Sequence, residues 1–190
     1  MPKNKIFIYL ASQSPRRKEI LTKMKISFRV VKSDYVEKKI PDAGPEQTVM
    51  WHACQKARKA KVPAGARFVL GADTVVVYEE HILGKPKNNK EAVKMLSMLS
   101  GKEHFVLTGI SIVDHETHSI ETGYSRTKVK FKKLSPKAIQ EYMKKVHVLD
   151  KAGAYAIQEG PKIVSKIEGS YSNVVGLPVE LLRKMLKDIQ

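Results

Sequence analysis

The chain has 190 residues, enough for one large domain or two lobes with an ample core, and its 42% hydrophobic content is that of a globular protein. A formal net charge of +16 attracts polyanions such as nucleic acid, acidic membrane surfaces or nucleotides. No apolar run approaches the roughly 20 residues of a membrane span, and the single cysteine, Cys54, excludes an internal disulfide and fits a reducing cytoplasm.

The first stretch, MPKNKIFIYLAS, lacks the length and cleavage site of a secretory signal and reads instead as a strand over Ile6–Leu10. Ser12-Gln13-Ser14 then turns the chain into a helix, with Ser14 as N-cap, Pro15 in the first position and Ile20, Leu21 and Met24 facing inward. Arg16, Arg17 and Lys18 fill the first turn, where the macrodipole disfavours cations. A bound anion resolves that conflict, because free N–H groups, two hydroxyls and two guanidiniums make a phosphate cradle. Solvated cations on a basic protein are the plainer explanation.

Phe28–Lys32 reads as a second strand, and Ser33–Glu46 as a long loop of the kind that is often functional. A helix over Glu46–Ala60 carries Val49, Met50, Ala53, Ala57 and Ala60 on one face, with Lys56 at its border, placed either to reach into a cleft or to snorkel. Strand halves Phe68–Gly71 and Thr74–Tyr78 flank Gly71-Ala72-Asp73. Taken alone, Asp73 is a turn aspartate or a catalytic carboxylate.

Gly84-Lys85-Pro86 forms a turn, and Asn88 with Glu91 makes a capping box for a helix with Ala92, Val93, Leu96 and Leu99 inward. Strands follow at Phe105–Leu107 and Ile110–Val113, with a hairpin tip over Asp114–Ser119. Thr127, Val129 and Phe131 alternate with Lys128, Lys130 and Lys132, a half-buried strand with a basic outer face. Ser135-Pro136 opens a helix bearing Ile139, Tyr142, Met143 and Val146; Asp150–Gly153 is a loop; Ala154–Ile157 and Ile163–Ile167 read as short strands; Gly169–Gly176 is irregular. Pro178 starts the last helix, with Leu182, Met185 and Ile189 inward. Interleaved strands and helices predict an α/β class with a mixed sheet.

Several chemistries are excluded by motif. There is no phosphate-binding P-loop, no dinucleotide fingerprint, no zinc spacing of Cys and His and no nucleophile elbow. His52 and Cys54, two apart on a helix, point away from each other. Aromatics are not interleaved with the basic residues as stacking platforms, so nucleic acid is not the expected partner.

The pieces that remain, in order, are Ser12-Gln13-Ser14-Pro15-Arg16-Arg17, Gln55-Lys56-Ala57, Gly71-Ala72-Asp73-Thr74, Gly84-Lys85-Pro86, and Leu99-Ser100-Gly101 with His104 and Thr108. Asp150–Tyr155, Ile157-Gln158 and Val175-Gly176-Leu177-Pro178 complete them. This ordered set resembles the Maf family of nucleotide pyrophosphatases, also described as septum-formation inhibitors, over nearly the whole chain. The resemblance implies a single domain over residues 1–190, an elongated α/β fold with two lobes flanking a cleft, related to inosine triphosphate pyrophosphatases. It implies hydrolysis of nucleoside triphosphates to monophosphate and pyrophosphate with Mg²⁺ or Mn²⁺, in a family where homodimers are common. Pro15-Arg16-Arg17, Asp73-Thr74 and Ile157-Gln158 resemble the dTTP/UTP branch rather than the 7-methyl-GTP branch.

On this resemblance the substrate-binding set is Ser12, Ser14, Arg16, Arg17, Thr74 and Gln158, with Arg16, Thr74 and Gln158 at the specificity positions. Asp73 is proton acceptor or metal ligand, Glu37 the second metal-ligand candidate, and Lys56 and Lys85 the cations for the pyrophosphate. Gln158 has the donor and acceptor that match the O4 and N3–H of uracil or thymine. Two departures stand out: Val36 replaces one member of an acidic pair, and Glu159-Gly160-Pro161 replaces the usual Gly-x-Gly, which sets an acid beside Gln158. The alternatives are the 7-methyl-GTP activity, or a basic nucleic-acid-binding or division-regulating protein with a vestigial pocket.

Overall fold

The structure is a computed structural model that describes residues 6–189; residues 1–5, part of the stretch read above as lacking a signal, lie outside it. Strand β1 (Phe7–Leu10) leads into helix α1 (Pro15–Lys23), β2 (Ser27–Val30), α2 (Pro45–Arg58) and β3 (Phe68–Tyr78). Then come β4 (His81–Leu83), α3 (Asn89–Leu99), β5 (Glu103–Asp114), β6 (Ile120–Phe131) and α4 (Pro136–Lys145). A 3₁₀ turn at Ala152–Ala154, β7 (Val164–Glu168), α5 (Tyr171–Val175) and α6 (Val179–Asp188) complete the described chain.

The strands form one mixed sheet in the order β2-β1-β3-β5-β6-β7, with β4 paired to β3. β1 is parallel to both β2 and β3, while the β3–β4 and β6–β7 pairs are antiparallel. The chain falls into two compact units. The first comprises Met1–Asp73, Thr108–Ser125 and Gly176–Gln190, the second Thr74–Leu107 and Arg126–Val175, so β3, β5 and β6 each supply residues to both.

In the first unit, α2 lies directly on the sheet, with Val49, Ala53 and Ala57 fully buried. Two glycines permit that approach. A Cβ on Gly71 of β3 would stand 2.0 Å from the carbonyl oxygen of Ala53, and one on Gly109 of β5 would stand 2.4 Å from that of Val49. Here Gly serves close backbone contact rather than a turn. That explains why β3 is one unbroken strand, where the sequence reads as two halves around Gly71-Ala72-Asp73. β5 likewise runs unbroken through Gly109.

The second unit has its own core, in which Leu96 and Leu99 of α3, Phe131 of β6 and Tyr142 of α4 are fully buried. Each such side chain contributes about 1.5–3 kcal/mol by leaving water. Asn88 caps α3 as expected, accepting from Glu91 N at 2.9 Å. The expected strand Ala154–Ile157 is replaced by the 3₁₀ turn and a loop, because Gly153 and Ala154 both adopt the left-handed region, at φ 65° and 63°. β4 and α5 go unrecognised in the sequence, being three and five residues long.

Candidate active site

The first unit begins as a βαβαβ unit with strand order 2-1-3. β1 therefore has parallel neighbours on both sides, reached by connections that leave in opposite directions. Such a reversal opens a crevice beyond the carboxyl end of the central strand, where open α/β sheets bind ligands. Pairing of β1 with β3 runs to Leu10↔Leu70 and is extended by Ala11 N donating to Leu70 O at 2.8 Å. That register sets Ser12 beside Ala72, with Asp73 next along β3.

Arg17 ties these pieces together. Its Nη1 donates to Ser12 Oγ at 3.0 Å and to Ala72 O at 2.9 Å, and its Nε donates to Gly176 O at 2.8 Å. Burial draws the guanidinium below its ordinary pKa, the nearby Asp73 and Glu37 raise it, and Arg16 lowers it; it remains a cation. Ser12 Oγ also accepts from Ser14 N at 3.3 Å. Ser14 occupies the N-cap position of α1, but its hydroxyl makes no capping bond, and no acidic residue lies in the first turn. The expected cap is thus a matter of position only.

Period-two alternation puts Asp73 on the same face of β3 as Gly71, the face covered by α2. Lys56 of α2 meets it there. Its Nζ lies 2.7 Å from Asp73 Oδ1, 2.6 Å from Glu37 Oε1 and 3.5 Å from Ala72 O. The side chains of Lys56, Asp73 and Glu37 are 16%, 9% and 50% exposed. One ammonium therefore bridges a buried carboxylate and an exposed one.

Glu37 arrives on the long loop, which is anchored at its start. Ser33 bridges to Ala60, Asp34 N donates to Lys59 O at 3.0 Å, and Tyr35 OH pairs with His52 Nδ1 at 2.7 Å. Burial first, and then the charge of Glu37, raises the Tyr35 phenol. His52 is buried and engaged with Tyr35, in keeping with its exclusion as a partner of Cys54.

The other predicted residues belong to the second unit. Thr74 follows Asp73 in β3 and is half-buried; Lys85 and Gln158 are exposed. Lys85 follows Gly84, whose carbonyl accepts from Gly153 N at 3.0 Å. Gln158 stands on a braced loop. Tyr142 OH donates to Ala156 O at 3.1 Å and accepts from Ala156 N at 2.9 Å. His104 Nε2 pairs with Tyr155 OH at 2.9 Å, with Phe131 edge-on to both rings. Burial pulls His104 down to about 4, so it is neutral near pH 7, and pushes the Tyr155 phenol up.

The basic face of β6 is compensated. Lys128 lies 3.5 Å from Glu168, Lys130 lies 3.4 Å from Glu103, and Lys166 of β7 lies 2.7 Å from Glu168. This is a surface ion-pair ladder.

The family model for Maf-like proteins matches residues 7–189. The chain belongs to the Maf family. Among its relatives, a protein of Geotalea uraniireducens (strain Rf4) named dTTP/UTP pyrophosphatase is 47% identical over 183 residues, covering 94% of each chain. Proteins of the same name from Bacillus cereus (strain G9842) and Clostridioides difficile (strain 630) are 45% and 43% identical, each covering 95% of this chain and 94% and 93% of their own. The fold is similar to that of the Staphylococcus aureus Ham1 protein, with a TM-score of 0.53 at 10% identity, covering 97% of this chain and 100% of the other.

Within this Maf chain the structure brings Ser12, Arg17, Lys56, Asp73 and Glu37 together in the first unit. What sequence reasoning missed is mainly backbone: the carbonyls of Ala72 and Gly176 carry no side-chain signature. Tyr35 and His52 were also missed, although an aromatic beside the acidic position of a long loop is a usable signal.

Proposed function

We propose that this chain is a nucleoside triphosphate pyrophosphatase that hydrolyses dTTP and UTP to the monophosphate and pyrophosphate. The observation that carries this reading is the Lys56 ammonium shared by Asp73 and Glu37, next to the arginine-bearing start of α1, in a chain whose relatives bear that activity in their names. A triphosphate brings about four negative charges, which suit Arg16, Arg17 and the uncapped first turn.

Breaking the bond between the α- and β-phosphates consumes one water, which adds to the α-phosphorus and loses a proton. Asp73, buried and fixed, accepts that proton or holds the metal. Lys56 is placed to turn from the carboxylates to the leaving pyrophosphate, and Lys85 adds a second cation. Arg17, with Nε and Nη1 engaged by Ser12, Ala72 and Gly176, keeps the cradle in register and contributes its charge. Thr74 and Gln158 select the base, and Ser12, Ser14 and Arg16 the phosphate end.

Among the described residues no group of three or more His, Cys, Asp or Glu is arranged to hold a metal. Two hard carboxylate oxygens around one cation nevertheless fit Mg²⁺ or Mn²⁺, which take one or two carboxylates and complete their shell with waters and phosphates. Glu37 and Asp73 would hold the ion, which when bound neutralises phosphate charge and acidifies water. No helix among the described residues is long and apolar enough to cross a membrane. The reading places the enzyme in the cytoplasm as one catalytic domain, with homodimerisation to be settled by light scattering. The test is pyrophosphate release from a nucleotide panel with Mg²⁺ or Mn²⁺. Preference for 7-methyl-GTP would move the chain to the other branch.

A further inference from the structure

The loop that carries Gln158 contains a second shared lysine. Lys151 is only 4% exposed, and its ammonium has three acceptors: His147 O at 2.6 Å, Asp150 Oδ1 at 2.8 Å and Glu159 Oε2 at 3.1 Å. The first two are hydrogen bonds and the third is an ion pair. Buried and ion-paired with Glu159, it holds that carboxylate in place. The other oxygen of Glu159, Oε1, accepts from Gln158 Nε2 at 3.4 Å.

We infer that Glu159 is a specificity-determining positioning residue, which fixes the Gln158 amide in the orientation that reads uracil and thymine and turns cytosine away. The inference rests on the pyrimidine triphosphatase reading above. A carboxylate only accepts, so the amide presents its NH₂ to Glu159 and not its oxygen. A primary amide has one N–H on the side of its carbonyl and one pointing away. In the proposed arrangement Glu159 takes the outer N–H, and the inner N–H and the carbonyl form a donor–acceptor edge, the complement of O4 and N3–H. Cytosine presents an amino donor and an N3 acceptor, and pairs only with the flipped amide. Flipping sets the amide oxygen against the Glu159 carboxylate, and this repulsion rejects the wrong base.

The test compares kcat/KM for UTP and CTP in wild type and Glu159→Gln, whose amide accepts or donates and so tolerates either orientation of Gln158. The UTP/CTP ratio is expected to fall about tenfold, the scale of one exposed charge-assisted hydrogen bond. The fall comes chiefly from faster CTP turnover, with kcat on UTP kept within about twofold, since no group that touches the reacting atoms has changed. Because the ratio is independent of the folded fraction, a purely structural effect lowers both substrates together and leaves it unmoved, and that result overturns the inference. Glu159→Ala is expected to lower the ratio in the same way and serves if the Gln variant does not fold. A wild type that turns over UTP and CTP equally overturns the inference alone. A wild type inactive on dTTP and UTP overturns the activity reading as well.

Discussion

Two regions of this Maf chain are built around a lysine held between two carboxylates, yet they differ in what surrounds them. Lys56 reaches from α2 to β3 and sits between Asp73 and Glu37, with Arg17 beside it. Its carboxylates have other possible partners, because an incoming cation or phosphate competes for the same charges. Lys151 lies buried in a loop, hydrogen-bonded to His147 O and Asp150 and ion-paired with Glu159, on the segment that Tyr142 and the His104–Tyr155 pair brace. The first arrangement can exchange partners and suits chemistry. The second is locked and suits the positioning of a reader.

The comparison predicts that changes at the first lysine act on turnover and changes around the second act on stability or base choice. The largest effect is expected for Asp73→Asn, a loss of at least about a hundredfold in kcat, the scale for removing a general base. Its melting temperature is expected to stay close to wild type, because Glu37 keeps Lys56 paired. A stable variant with near-normal turnover would break the comparison. Next is Tyr142→Phe, which leaves the buried N–H and C=O of Ala156 without their shared hydroxyl. The expected cost is about 1–3 kcal/mol, a few degrees in melting temperature, with kcat on UTP nearly unchanged.

The last prediction concerns pH and is confined to the acid limb. His104 is held at about 4 against an ordinary 6.5, so between these values the unfolded chain binds a proton that the native chain refuses. Stability from this group is therefore intact above the unfolded pKa and falls as pH drops toward 4, by up to about 3 kcal/mol. His104→Gln is expected to flatten that part of the acid limb in denaturant titrations at stepped pH; an unchanged slope would show that His104 does not set it.

Much of the architecture was legible because local signals and fold agreed. The Asn88 cap, the prolines opening α1 and α4, and the apolar stripe of α2 all mark their elements correctly. The failures have one physical cause. Gly71 and Gly109 look like strand breaks locally, but their lack of a side chain is used across the sheet, by α2. Ala154 looks like a strand residue but is held at positive φ by its surroundings. In the candidate site, local pattern singled out Arg16, Arg17 and Asp73 as oddly placed charges without deciding their roles, and the full set was named only through the family resemblance. The Ala72 and Gly176 carbonyls depend on long-range geometry that no local pattern encodes, as does the pairing of Tyr35 with His52, although Tyr35 itself carries a local signal.

The central claim is that the cluster around Lys56 hydrolyses pyrimidine triphosphates between the α- and β-phosphates. Its most direct test is product analysis for wild type and Asp73→Asn on dTTP and UTP with Mg²⁺ or Mn²⁺. The account predicts one pyrophosphate and one monophosphate per nucleotide for wild type and a loss of at least about a hundredfold for the variant. Release of orthophosphate, or no turnover of either pyrimidine, would contradict it.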